Sequence, residues 1–174
     1  MLRSVRIRRR EGGELNAPGL NPVVVRVLAA RGATSAPDYG LQGLLAPTLG
    51  GLNRATELME TAIREGQRIL IVGDFDADGA TGTALAVRAL RAMGASKVDW
   101  VVPDRFRHGY GLGTTLVDEI ASDAPDLLIT VDQGVSSLDG VASARALGIK
   151  VVVTDHHLPG AALPQADAII NPNL

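Results

Sequence analysis

The sequence predicts an α/β fold, with an open parallel β-sheet flanked by helices and a mostly helical N-terminal extension. From about residue 68 onward, short apolar runs alternate with helical patterns, an order typical of right-handed βαβ units. These runs are continuously apolar, as in strands that helices cover on both faces. A hydrophobic fraction of 46% is ample for the core of such a sheet.

The N-terminal extension is predicted to cover residues 1–50. It is rich in glycine, proline and alanine and contains one predicted helix. Asn21 is the expected N-cap of this helix, Pro22 its first position and Gly32 its stop, although the valine run there also permits a strand. Five arginines among the first ten residues favour a solvated arm, with a nucleic-acid contact as the alternative.

The second predicted domain, residues 51–174, begins with a helix from Gly51 to Gly66. Its apolar residues Leu58, Ala62 and Ile63 fall on one face. Strands follow at residues 68–74, 97–104, 126–132, 150–155 and 166–172, and helices at residues 80–94, 113–123 and 138–148.

Composition excludes several classes of protein. Without cysteine there is no disulfide framework and no thiolate site. No apolar run is long enough to cross a bilayer, and the N-terminus lacks the apolar segment of a signal peptide, so we expect a cytoplasmic protein with no membrane contact. The net charge of −2 indicates no polyanion partner, and 3% aromatic residues leave few rings for stacking bases.

Three predicted strands end in the same way, at Asp74, Asp132 and Asp155. The carboxyl ends of parallel strands meet at one edge of the sheet, where ligands bind in open α/β folds. Four further titratable residues follow these ends: Asp76, Asp78, His156 and His157. The sequence therefore predicts one rim that carries five carboxylates and two imidazoles.

So many carboxylates repel one another unless positive charge offsets them. The chain has only two lysines, Lys97 and Lys150, and neither lies in these motifs. Divalent metal is the natural counter-charge, and carboxylates with imidazole suit Mn²⁺ or Mg²⁺. Two ions sharing one bridging carboxylate would suit in-line displacement at phosphorus by an ion-bound water.

Other interpretations of the first motif fit less well. The string Asp74, Asp76, Asp78, Gly79 matches half of an EF-hand loop, but position 12 of that loop falls on Leu85. The chain has no Gly-Lys-Ser/Thr, which excludes a Walker A loop. Each aspartate alone could be a helix cap, but capping does not account for the whole set with two adjacent histidines.

The motifs "GDFDADGATGTAL", "VPDRFRHGYGL", "TVDQGVSS" and "VTDHHLPG" with "LPQADAIINPNL" resemble the DHH phosphoesterase superfamily. Within it, the chain is most similar to bacterial exonucleases specific for single-stranded DNA, over residues 68–174. The resemblance implies a phosphodiesterase with two Mn²⁺ or Mg²⁺ ions that digests single strands from the 5′ end in DNA repair and recombination. Single-stranded DNA is the implied substrate, and single-strand-binding protein and a helicase are the candidate partners of the parent enzyme.

The resemblance also implies metal ligands. Asp76 would bind the first ion, Asp78 and His156 the second, and Asp132 would bridge them. Asp74 belongs to the first motif and is a further candidate ligand, although many relatives carry a histidine in that motif.

Four other residues receive supporting roles from the resemblance. Asp155 and His157 are candidate catalytic residues: the carboxylate would orient an imidazole, and His157 would contact phosphate or assist a leaving group. Arg105 and His108 are candidate contacts to a substrate phosphate.

Members of this family continue with a fourth motif that supplies another aspartate ligand, then a second, DHHA1-type lobe. We therefore expect this chain to be the N-terminal part of a longer enzyme and to be weakly active or inactive alone. The alternatives are a DHH enzyme acting on small phosphates or short oligonucleotides, a haloacid-dehalogenase-like phosphatase, and a non-catalytic binding domain. The haloacid-dehalogenase motif has Thr or Val at the position where this chain has Asp78.

Overall fold

A computed structural model of the chain describes residues 13–36 and 48–174. The chain divides into two compact units, Met1–Pro47 and Thr48–Leu174. The prediction made for the arginines of the first ten residues lies outside the described residues. The domain boundary expected near residue 50 stays a prediction.

The described part of the first unit contains helix α1, Pro22–Ala30. The side chain of Asn21 caps it by accepting a hydrogen bond from the Val23 N–H at 2.9 Å. Pro22 occupies the first turn, where its missing N–H costs nothing. The valine run therefore forms a helix and not a strand.

The second unit is a five-stranded parallel sheet in the order β2-β1-β3-β4-β5, which confirms the predicted fold class. Its strands are β1 Ile69–Val72, β2 Val98–Val101, β3 Leu127–Val131, β4 Lys150–Thr154 and β5 Ala168–Ile170. Its helices are α2 Leu52–Arg64, α3 Ala77–Ala92, α4 Thr114–Ile120 with a 3-10 turn at Ala121–Asp123, and α5 Leu138–Ala146.

Helices cover both faces of the sheet, which explains the continuous apolar runs. Alternate residues of β1 point to opposite faces: Ile69 and Ile71 join a core with α2 and α3, and Leu70 and Val72 join a core with α4 and α5. All four are buried. Among the described residues, no helix has both the length and the apolar character to span a membrane.

Helix α3 begins earlier than its sequence pattern predicts, at Ala77 instead of residue 80. Asp76 is its N-cap, so Asp78 lies in the first helical turn and not in a loop. Leu90 of this helix is buried, but Leu85 and the C-cap residue Met93 are exposed.

The strand order reverses at β1, because the chain adds β2 on one side of it and β3 on the other. The crevice between the carboxyl ends of β1 and β3 is the usual ligand site in sheets of this order. Asp74 follows the first of these strands and Asp132 the second.

Gly79 brings the first turn of α3 close to the end of β1. A Cβ at this position would lie 2.6 Å from the Asp74 Cβ and 2.8 Å from its backbone carbon. Only glycine therefore lets the helix start beside Asp74 without a shift of main chain.

We predict that Gly79→Ala destabilises the chain by about 1–3 kcal/mol, because the added methyl overlaps backbone that cannot rotate away. Gly50→Ala, in the turn before α2, is the matched control. Its Cβ would meet no atom within 4 Å, and the backbone there is not left-handed, so alanine is tolerated. Urea unfolding in EDTA measures both, and equal losses of stability would contradict the close-approach argument.

Candidate metal centre

The two aspartates after β1 are held in different ways. Asp74 is 2% exposed and its Oδ1 accepts the N–H of Phe75 at 2.7 Å. Asp76 is exposed, and its Oδ1 accepts the N–H of Gly79 at 3.1 Å as the cap of α3. This backbone hydrogen bond lowers the pKa of Asp76 below its ordinary value, so the side chain is ionised at neutral pH.

Asp132 follows β3 in a left-handed backbone conformation, with φ of 63°. Aspartate tolerates this region better than most residues, and such strain is typical of functional sites. Its residue exposure is 9%, and its Oδ2 is buried without a hydrogen-bond partner. Burial, followed by the charges of Asp78 and Asp76, raises the pKa of Asp132 above its ordinary value.

Asp155, after β4, holds His157 in place. Its Oδ1 accepts the His157 N–H at 3.0 Å and lies 2.7 Å from the His157 Nδ1, while its Oδ2 accepts the Val135 N–H at 2.8 Å. Burial opposes ionisation of Asp155, but these hydrogen bonds outweigh it and lower the pKa of the carboxyl. An ionised Asp155 can only accept, so Nδ1 of His157 carries the proton and Nε2 is left free.

The same pairing raises the pKa of His157, with the hydrogen bond to Asp155 as the largest cause. The His156 ring lies beside the His157 ring, with centroids 4.6 Å apart. Its Nε2 lies 2.9 Å from Oδ1 of Asp132 and 3.8 Å from Oδ2 of Asp78. His156 is thus the group through which the β4 end contacts carboxylates from β3 and α3.

The rim contains two sets of three ligand atoms that lie within 4.8 Å of one another, and Asp132 belongs to both. One set is Asp74, Asp76 and Asp132, and the other is Asp132, His156 and His157. The donors are carboxylate oxygens and imidazole nitrogens, which suit Mn²⁺ or Mg²⁺. The unpartnered Oδ2 of Asp132 is a buried acceptor that a cation would satisfy, so the residues present fit a divalent ion.

Asp78 belongs to neither set, although it lines one shallow depression with Asp132, Asp155 and His156. The structure therefore brings together all five carboxylates and both histidines that the sequence analysis assigned to the rim. It groups them differently, with Asp74 beside Asp76 and with His157 among the candidate ligands.

The two candidate phosphate contacts have different surroundings. The guanidinium of Arg105 is exposed and lies 5.3 Å above the Phe75 ring, next to the metal rim. His108 has a side chain only 6% exposed, with Nε2 3.1 Å from Glu119 and with Nδ1 accepting the Asp104 N–H at 2.9 Å. In this structure His108 braces the loop after β2, and its contact with phosphate stays a prediction.

Tyr110 has no role in the sequence analysis, but the structure places it at the rim. Its hydroxyl lies 3.4 Å from Nδ1 of His157, and its ring meets those of His157 and Phe75 edge-on. Burial, followed by the charge of Asp74, raises the pKa of Tyr110 to about 12, so the phenol stays protonated at neutral pH. The sequence signal that could have placed Tyr110 at the rim is an aromatic residue inside a glycine-rich loop at the end of a strand.

The chain is similar to curated exonucleases from several bacteria. The single-stranded-DNA-specific exonuclease RecJ of Escherichia coli is 50% identical over 179 aligned residues, which cover all of this chain and 31% of that protein. The RecJ of Thermus thermophilus is 43% identical over 126 residues, which cover 72% of this chain and 18% of that protein. The chain thus spans about a third or less of the length of these relatives.

Solved structures of RecJ also match this chain. A crystal structure of exonuclease RecJ bound to manganese matches with a TM-score of 0.69 and 42% identity, over 75% of this chain and 34% of that one. RecJ from Thermus thermophilus in complex with Mn²⁺ matches with a TM-score of 0.64 and 35% identity, over 94% of this chain and 26% of that one.

The family described as the DHH family, N-terminal domain, matches residues 68–174, from the residue before β1 to the last residue of the chain. This range contains every strand and every candidate ligand. With the parallel sheet and the acidic rim at its switch point, it shows that the chain belongs to the DHH family.

Proposed function

We propose that this chain provides the metal-binding part of an exonuclease that hydrolyses single-stranded DNA, using two divalent ions held at the rim. The single observation that carries the proposal is the position of Asp132, whose carboxylate belongs to both ligand sets and has a buried, unpartnered oxygen. The single-strand specificity, the 5′-to-3′ direction and the role in repair and recombination come from the RecJ relatives and from the family resemblance. A cytoplasmic location and partners such as single-strand-binding protein or a helicase remain predictions.

The residues divide the work. Asp74, Asp76 and Asp132 would hold one ion, and Asp132, His156 and His157 the other, with Asp78 available beside His156. Bound there, two divalent ions would supply Lewis acidity at the phosphate and a water of lowered pKa. Mn²⁺ is favoured because imidazole joins the carboxylates and because the matching RecJ structures contain manganese.

Asp155 acts through His157. By holding Nδ1–H it fixes the tautomer and leaves Nε2 as the nitrogen that can bind an ion, as second partners of metal-binding histidines do. The exposed guanidinium of Arg105 is the cation best placed to meet the DNA backbone at this rim.

The alternatives have less support. A haloacid-dehalogenase-like mechanism needs the first aspartate as an exposed nucleophile, whereas Asp74 is 2% exposed and accepts the Phe75 N–H. A DHH enzyme acting on small phosphates uses the same ligands, so substrate preference must be measured.

We predict that Mn²⁺ stabilises the chain. At a concentration one hundred times its Kd, the ion adds about 2.7 kcal/mol to the free energy of unfolding. For a chain of this length, that raises Tm by roughly 5–10 °C. Asp132→Asn should abolish the shift, since it removes the shared carboxylate while asparagine still tolerates positive φ. Asp123→Asn, at the opposite end of β3, is the control and should keep the full shift.

The melting temperature of Asp132→Asn in EDTA gives a second test. Because the pKa of Asp132 is raised in the folded state, ionising this carboxyl lowers the free energy of unfolding. The loss is absent at a pH below the pKa of Asp132 in the unfolded chain and complete at a pH above its pKa in the folded chain. Metal-free Asp132→Asn should therefore melt at or above the wild type at neutral pH and below it with Mn²⁺. If Mn²⁺ shifts both proteins equally, Asp132 is not a shared ligand.

We predict that Asp155→Asn lowers the pKa of His157, because the carboxylate that stabilises the imidazolium is lost. An NMR titration of the imidazole in EDTA measures the change, with Asp123→Asn as the unaffected control. An unchanged His157 pKa in Asp155→Asn would show that the hydrogen bond does not orient the ring in solution.

Substrate class is tested by Mn²⁺-dependent digestion of single- and double-stranded oligonucleotides labelled at one end, with the Escherichia coli relative alongside. We expect single strands to be shortened from the 5′ end and duplexes to be resistant. The rim is open, with His156 60% exposed, so we expect the 174 residues alone to cleave more slowly than the relative. Equal digestion of duplex, or faster hydrolysis of pyrophosphate, would favour another DHH activity.

A further inference from the structure

The two histidines of the candidate metal centre lie in a loop between β4 and β5. The described residues 155–167 of this loop contain no helix or strand. Pairing of the two strands extends as far as Asp155, whose N–H donates to the Ile170 carbonyl at 3.1 Å. His156 and His157 follow directly, beyond the sheet. Loops are generally the mobile parts of a fold, whereas functional groups have to stay within about 0.5 Å of their working geometry, so the histidine backbone needs another support.

Two asparagine side chains after β5 supply this support. Asn171 is 1% exposed, and its Nδ2 donates to the His157 carbonyl at 2.8 Å. Nδ2 of Asn173 donates to the His156 carbonyl at 2.7 Å, with a longer contact of 3.3 Å to the His157 carbonyl. We call Asn171 and Asn173 the amide clamp. Its hydrogen bonds continue the contact between the β4 and β5 segments past the point where the strands end.

The amide clamp is ordered by its own turn. Oδ1 of Asn171 accepts the Asn173 N–H at 2.8 Å and the Asn173 Nδ2 at 3.1 Å. Because Oδ1 faces that N–H, the Nδ2 of the same amide faces the His157 carbonyl, which an aspartate could not satisfy. Pro172 occupies the second position of the turn, and the Leu174 N–H closes it on the Asn171 carbonyl at 3.2 Å.

The amide clamp completes the support of both histidines. Asp155 Oδ1 accepts the main-chain N–H of His157 and lies 2.7 Å from its Nδ1, so the clamp adds a third point of attachment at the carbonyl. The ring of His156 reaches Asp132 at 2.9 Å from a backbone whose carbonyl the clamp also holds. Both rings therefore start from a fixed main chain.

We propose that Asn171 and Asn173 are positioning residues for the metal centre, which act through the backbone carbonyls of His157 and His156. The inference rests on the proposed function and adds to it the groups that prepare the imidazoles before an ion binds. A backbone fixed in advance spares the ion the entropy of ordering the loop. Groups that orient metal ligands typically contribute about 10- to 100-fold in metal affinity.

The first measurement is an NMR spectrum of the imidazole Cε1–H groups of the whole chain in EDTA. The chain has three histidines, and His108, on the loop after β2, is the internal reference. Asn173→Ala should shift the His156 signal most, and Asn171→Ala should shift the His157 signal most. The His108 signal should stay in place in both variants.

The second measurement is the Kd of Mn²⁺, obtained by calorimetric titration. We expect Asn173→Ala to raise this Kd about 10- to 100-fold. Because Asn173 is exposed, the variant should keep the wild-type Tm in EDTA. Asn171→Ala empties a buried position, so Asn173→Ala decides the test if Asn171→Ala unfolds. Gln67→Ala, which removes a side-chain amide and its hydrogen bond to Glu65 before β1, is the matched control and should bind Mn²⁺ like the wild type.

Three results would overturn the inference alone: His156 and His157 signals that stay in place in the variants, an unchanged Mn²⁺ affinity in Asn173→Ala, or a His108 shift as large as that of His156, which would indicate general loosening. If the wild-type chain itself binds no Mn²⁺, the failure counts against the proposed metal centre.

Discussion

Repulsion among carboxylates is the constraint on which the site depends. Parallel strands bring Asp74, Asp132 and Asp155 to one edge of the sheet, and α3 adds two more. Three of these carboxylates are stabilised in different ways. Asp155 accepts hydrogen bonds, Asp76 caps α3, and Asp132 has only one oxygen paired, with His156. Burial, followed by the charges of Asp78 and Asp76, raises the pKa of Asp132, and a divalent ion is the group that would neutralise its carboxylate.

Backbone geometry keeps this charge in place. Asp132 has φ of 63°, a conformation that costs about 1–3 kcal/mol for residues other than glycine. Gly79 lets α3 start against the Asp74 backbone. The strain at Asp132 works against stability in the metal-free chain and is understandable if ion binding offsets it, because an ion that binds only the folded state stabilises that state.

The sequence was sufficient for the sheet and for the membership of the rim, because both follow from local patterns. Alternation of apolar runs and helices identifies a parallel sheet, and aspartates after strand ends must then meet. The division of the ligands into two sets could not be predicted from the sequence. The start of α3 at Ala77, the left-handed Asp132 and the Glu119 partner of His108 depend on side chains that meet across the fold, and no local pattern encodes such contacts.

The position of Tyr110 follows from the topology of the chain and not from its composition. A low aromatic content gives the number of rings but does not say whether they lie in the core, as rings usually do, or at the surface. Here the core is aliphatic, which leaves the rings at the surface, and the loop after β2 returns Tyr110 to the rim where β4 places His157. The same strand-end geometry that brings the carboxylates together therefore also places the Tyr110 ring beside them, because the loop after β2 and the end of β4 meet at one edge of the parallel sheet.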